Sequence, residues 1–223
     1  MKKILALMII VSLMSTAACF AETAGVSVSV DVIRLANEGF LEIPVVSGLS
    51  DAALEKEINA LLRAALTSEA VLMNTPDSHI EGKLSWAIIE GKLLSAYVTE
   101  YVNLGELAAY PRNDVLSVTV NLETGGRVFA SDVLIIDEDL RAYIRGGVFK
   151  LTNVDAEAEG AAEEFIGEFI NNYYPDTLGV NFYMTREGVA LYIKNVPHAL
   201  GDYWVFEAAW RDIRDIVRTE VFE

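Results

Sequence analysis

The stretch Leu93–Leu134, LLSAYVTEYVNLGELAAYPRNDVLSVTVNLETGGRVFASDVL, reads as two strands and the start of a third. In the first run Leu94, Ala96, Val98 and Glu100 share one face while Ser95, Tyr97, Thr99 and Tyr101 share the other. In the second, Val115, Ser117, Thr119 and Asn121 oppose Leu116, Val118, Val120 and Leu122. Period two is the repeat of a strand, whose successive side chains point to opposite faces. Thr124-Gly125-Gly126 tolerates positive φ, so the chain is expected to turn there and return along Arg127, Val128 and Phe129. The product is a β-meander.

Toward the N-terminus, Lys83 to Glu90 reads as another strand, joined to the meander by Gly91-Lys92. Val26, Val28, Val30 and Val32 alternate in a further strand, and Asn37-Glu38-Gly39 turns it into Phe40 to Val46. The period then changes. Leu54, Ile58, Leu61, Leu62, Ala65 and Leu66 fall at helical spacing, with Ser50 at the N-cap position and Asp51 and Glu55 near the positive end of the helix dipole. Ser68 to Gly82 lacks a pattern, and Pro76-Asp77 marks an irregular connection.

Toward the C-terminus, Glu138 to Val148 is partly helical in pattern. Ala158, Ala162, Phe165, Ile166, Phe169, Ile170 and Tyr173 form the strongest helical stripe, which Pro175 ends. Val180 to Met184 and Val189 to Lys194 flank the turn Thr185-Arg186-Glu187-Gly188. Tyr203 to Ala209 is a last strand, followed by a short helix carrying Ile213, Ile216 and Val217. Strands that arrive in hairpins predict an α+β fold: mainly antiparallel sheet of about eight strands, covered by two main amphipathic helices.

Lys2 and Lys3 ahead of the apolar run Ile4 to Met14 have the form of a secretory signal, too short for a stable membrane span. Two processing sites are open. Cleavage after Ala21 makes residues 1–21 the signal peptide and 22–223 a single exported domain, secreted or held in the periplasm or cell envelope. Acylation of Cys19 within Thr16-Ala17-Ala18-Cys19 makes a lipoprotein instead. Cys19 is the only cysteine, so no disulfide framework is expected and the core must supply stability.

Of 223 residues, 17 are Lys or Arg and 33 are Asp or Glu. Removing 1–21, with its two lysines and no acid, leaves 15 basic against 33 acidic residues and a charge of −18. A field of that sign repels nucleic acid and raises encounter rates with basic proteins, although it also serves solubility alone.

In order along the chain, several short stretches resemble a family of exported bacterial domains of mostly unknown function. They are Ile43-Pro44-Val45, Glu57-Ile58-Asn59, Leu94-Ser95, Asn121-Leu122-Glu123-Thr124-Gly125, Ser131-Asp132-Val133-Leu134, Phe182 to Gly188 and Ala199-Leu200-Gly201. Such domains form the extracellular part of the lysozyme-sensing anti-sigma factor RsiV and precede the catalytic domain of the peptidoglycan deacetylase PdaC. The resemblance implies an RsiV-like α+β domain over 22–223, standing as the exported module alone, and a basic lysozyme-like protein as partner. Members often carry His before Pro in the loop between the central strands, where this chain has Ala109-Tyr110-Pro111.

No metal-binding His pair at helical spacing, nucleophile elbow, phosphate-cradling loop or CxxC occurs, so no enzyme, metal or cofactor is expected. His79 and His198 read as an exposed loop residue and a structural hydrogen-bonder. Asp137, Glu138 and Asp139 lack calcium-loop spacing and read as a solvated helix start. The expected function is a noncatalytic binding or sensing module. Its contacts are expected on the Asn103–Asp114 loop and its flank, at Tyr101, Asn103, Glu106, Tyr110, Pro111 and Arg112. The alternative is a peptidoglycan- or glycan-binding module, or a remnant cell-wall enzyme, with Trp86, Trp204 and Trp210 as stacking surfaces beside Tyr97, Tyr101 and Tyr110.

Overall fold

In a computed structural model, residues 25–154 and 180–222 are described. The signal segment, Cys19 and the helical stripe of 158–173 lie outside them. The N-terminal alternation folds as β1 (Ser27–Arg34) and β2 (Phe40–Ser47), an antiparallel hairpin registered from Ser27↔Ser47 to Arg34↔Phe40. Asn37 and Glu38 both take positive φ at the turn, as a tight hairpin demands. β3 (His79–Ile89), β4 (Leu93–Asn103) and β5 (Arg112–Asn121) form the long meander, and β6 (Arg127–Val128) adds a short edge. A second sheet holds β7 (Lys150–Leu151), β8 (Asn181–Met184), β9 (Gly188–Lys194) and β10 (Tyr203–Ala209) in the order β7-β10-β9-β8.

The α+β class holds, with differences. Ten strands are described in two sheets, and β7 is the one without a sequence signal. The six-stranded sheet is mixed, because β2 pairs with β3 in parallel through Phe40↔Glu81 and Leu41↔Gly82. A parallel neighbour needs a crossover, and α1 (Ala52–Met73) is that crossover. Its N-cap is Asp51 rather than Ser50: the Asp51 carboxylate accepts from the amides of Ala53 and Leu54 at 2.8 and 3.1 Å. The helix also runs seven residues past the expected stripe, through a segment with no legible period. The expected C-terminal helix is instead a series of 3-10 turns over Trp210–Asp212, Arg214–Ile216 and Thr219–Val221, with Ile213 and Ile216 buried and Val217 half-buried.

Among the described residues three layers result. Ile58, Leu62, Leu66 and Ala70 of α1 lie on Leu41, Ile43, Leu94, Ala96, Val98, Leu116, Val118 and Val120 of the large sheet. The opposite face meets β8–β10, with Val115, Tyr183, Ala190, Tyr192 and Val205 in contact. Polar side chains lock the layers. Asn59 of α1 pairs with the backbone of Val46 in both directions, each bond 2.8 Å, so the helix completes the edge of β2. Ser95 Oγ accepts from Met184 N at 2.8 Å and from Thr119 Oγ1 at 3.0 Å. Asn121 Oδ1 accepts from Glu123 N and Thr124 N, and Thr185 Oγ1 accepts from Glu187 N and Gly188 N, fixing two of the turns read from the sequence.

Candidate binding site at one end of the central sheet

The β4–β5 loop spans 104–111, shorter than the sequence suggests because Arg112 to Asp114 already belong to β5. Asn103 Oδ1 accepts from Gly105 N at 2.9 Å and starts the 3-10 turn Gly105–Leu107. Gly105 holds φ 63°, and a Cβ there would meet Asp77 O at 2.7 Å. Only glycine lets this loop lie against the α1–β3 connection. That connection also receives the β1–β2 turn: Asn37 Nδ2 donates to Pro76 O and Ser78 O, and Ala36 N donates to Asn74 Oδ1. Three chain segments therefore close on one end of the sheet.

The six residues expected here are brought to this end but do different work. Tyr110 is 68% exposed and stacks on His198 of the β9–β10 loop, centroids 5.3 Å apart at 14°. His198 Nδ1 donates to Asp202 Oδ1 at 2.9 Å, the structural bond expected of it, while Asp202 Oδ2 accepts from Asn113 N at 2.8 Å. Tyr101 is 37% exposed and meets His79 edge-on, and Glu106 is exposed. Asn103 and Pro111 are half-buried and set the loop's path. Arg112 points toward α1, its Nη2 donating to Met73 Sδ at 3.3 Å.

His79 is not a loop residue. It opens β3, half-buried, where Nδ1 donates to Asn37 O at 2.8 Å and Nε2 to Glu81 Oε1 at 2.9 Å. Both nitrogens donate only in the imidazolium, and the Asn37 carbonyl, followed by Glu81, raises the pKa of the ring.

Sequence reading missed a charged cluster under the loop. Glu100 and Asp114 face each other across β4 and β5, at 2% and 6% exposure, on the α1 side of the sheet. Lys194 Nζ lies 3.1 Å from Asp114 Oδ2 and donates to Glu69 Oε1 at 3.0 Å. Burial, then Asp114 and Glu69, pushes the Glu100 carboxyl up to about 7, and burial raises Asp114 against the pull of Lys194. The available signal was a lone acid continuing the aliphatic face Leu94, Ala96, Val98. Among the described residues no three His, Cys, Asp or Glu side chains gather in a metal-binding group.

Of seven exposed large hydrophobic side chains among the described residues, Val71, Leu72, Tyr101 and Tyr110 lie at this end. Glu38, Asp77 and Glu106 are exposed on the turn, connection and loop that meet here, with Glu69 and Glu81 partly exposed. The tryptophans do not form one face. Trp204 is buried at 1% in the second-sheet core, half-buried Trp210 packs beside that core, and half-buried Trp86 packs against the helix-side core. A cleft of about 970 Å³ lies elsewhere, between Ile89, Trp210 and Phe222.

No protein-family model and no curated protein matches the chain. Solved structures do. The chain is similar to the crystal structure of a DUF3298 family protein from Pseudomonas aeruginosa PAO1, at 11% identity and a TM-score of 0.51, over 88% of this chain and 95% of that one. It is similar also to a DUF3298 member from Bacteroides fragilis NCTC 9343, at 11% identity and a TM-score of 0.54, over 88% and 94% of the two chains. This chain shares their fold. The DUF3298-like fold accounts for nearly the whole length, and at this identity the likeness is one of architecture. No helix among the described residues is long and apolar enough to cross a membrane.

Proposed function

We propose that this chain is a noncatalytic, exported binding or sensing module that docks a basic protein on the end of the central sheet formed by α1's last turn, the β4–β5 loop and the β9–β10 loop. The observation that carries this reading is that Val71, Leu72, Tyr101 and Tyr110, exposed at 57, 84, 37 and 68%, all sit on segments that close on this end, as do the exposed carboxylates of Glu38, Asp77 and Glu106. Aromatic and aliphatic anchors with a polar rim are the anatomy of a protein interface, and acidic rims steer cationic partners. The RsiV resemblance suggests a lysozyme-like cell-envelope protein, and the chain's net charge of −16 favours such an encounter. Both histidines meet carboxylates, but at the half-open or open surface rather than in a cleft, which favours structural roles. The dispersed tryptophans weigh against the glycan-stacking alternative.

Calorimetry of the exported chain with hen lysozyme at low salt tests the reading. Binding that weakens with salt, and that drops by more than about tenfold in Tyr110→Ala, is expected of an aromatic hot spot. Absence of binding at low salt removes the basic-protein partner.

A further inference from the structure

Beneath the exposed patch a donor and an acceptor stand buried without partners. Both carboxylate oxygens of Glu100 lack a hydrogen bond, and so does the buried Nε of Arg112. Val102 pairs with Arg112 as Glu100 pairs with Asp114, so the two orphans are diagonal neighbours on one face of adjacent strands, a span long side chains cross. Arg112 instead rests on Met73 and stands 3.9 Å from Asp114 Oδ2. Glu69 faces the cluster from α1, Lys194 from β9, Arg112 and Asp114 from β5, and β3 places only Gly82 opposite Glu100. Behind the sheet the phenols of Tyr192 and Tyr203 feel Asp114 and stay neutral. Glu69 and Asp114 are thus balanced by Lys194 and Arg112. The cluster is neutral while Glu100 holds its proton and gains an unmatched negative charge when Glu100 loses it.

We propose that Glu100 is a proton-operated latch: on ionising it draws the Arg112 guanidinium off Met73 and onto its own carboxylate, loosening the last turn of α1 and shifting Pro111 and Tyr110. A buried carboxylate with no donor is costly, so the cheapest relief is the nearest cation that is not already held. Lys194 is held by Glu69 and Asp114 at 3.0 and 3.1 Å, while Arg112 has an unpartnered Nε, a sulfur contact and only a long 3.9 Å approach to Asp114. Raised by burial to about 7, the Glu100 carboxyl changes charge within the range an exported protein meets. That this alters partner docking rests on the function proposed above, since Val71, Leu72 and Tyr110 belong to the docking surface.

NMR titration of the intact exported chain between about pH 5 and pH 9 tests the latch. The Glu100 Cδ and Arg112 Nε resonances are expected to move together, and the amides of Ala70–Met73 to exchange more than about tenfold faster than base catalysis accounts for. In Glu100→Gln both responses vanish while His79 still titrates. An Arg112 signal that stays still in the wild-type protein, or moves equally in Glu100→Gln, overturns the latch. Lysozyme binding measured at both pH extremes separates the two ideas. A working titration with no lysozyme bound at either pH supports the latch and removes the basic partner, and lysozyme binding with a motionless Arg112 does the reverse.

Discussion

On the face turned toward the second sheet, β4 and β5 present Ser95, Tyr97, Ser117 and Thr119, whereas the face under α1 presents Leu94, Ala96, Val98, Leu116, Val118 and Val120 before ending in Glu100 and Asp114. The hydroxyl-rich face is well satisfied: Ser95 serves Thr119 and Met184, Ser117 donates to Phe182 O at 2.6 Å and meets the Tyr192 hydroxyl at 2.9 Å, and Tyr97 stacks on Tyr183 at 3.9 Å. The aliphatic face holds the unpartnered Glu100. Polar content alone is therefore a poor guide to where a sheet stores strain. What matters is whether each buried group finds a partner, because an unmade bond costs more than a made one gains.

The largest test of that contrast removes the closer of the two cations from the charged end. Lys194→Met leaves Asp114 buried against no ammonium, and a loss of about 3 to 5 kcal/mol is expected in urea unfolding at neutral pH. Next comes Glu100→Gln. Its folded pKa, raised from 4.5 to about 7, means the native state holds the proton more tightly than the unfolded chain. That stabilisation is full below pH 4.5 and is lost as pH rises through about 7, so the variant should gain on the wild type by up to about 3 kcal/mol between acid and mildly alkaline pH. His79 titrates in both proteins and cancels in the difference.

On the satisfied face, Ser95→Ala strips partners from Thr119 and from the Met184 amide, and thermal or urea unfolding should register about 1 to 3 kcal/mol with no pH dependence. A pH-dependent loss there would erase the distinction between the faces. Smallest is Tyr110→Ala, at the open rim: stability should move by less than about 0.5 kcal/mol in urea unfolding. That makes it the cleanest probe of docking.

Much of the architecture was legible because local pattern and tertiary need agree. The meander, its faces and the turns at Asn37-Glu38-Gly39, Thr124-Gly125-Gly126 and Thr185–Gly188 all follow from period two and turn chemistry. The parallel β2–β3 pairing was not, since nothing in Phe40-Leu41 or Glu81-Gly82 names a partner 41 residues away. The end of α1 escaped because Val71 and Leu72 face solvent and blur the stripe that Leu62, Leu66 and Ala70 continue. At the candidate site, a loop carrying Tyr110 was legible from Gly105 and Pro111, whereas Arg112, expected in it, lies in β5. The stacking of Tyr110 on His198 and the meeting of Glu69, Glu100, Asp114 and Lys194 depend on four separate elements, which no local spacing encodes.

The seam between β2 and β3 has a bearing on how the molecule comes apart. Two residue pairs join those strands, against eleven joining β3 to β4 and eight joining β1 to β2. The hairpin is thus anchored chiefly by side chains of α1 and by Asn59's clasp on Val46. Amide exchange should find β1, β2 and α1 opening as one cooperative block at lower free energy than the β3–β5 meander, which would persist as the last ordered unit.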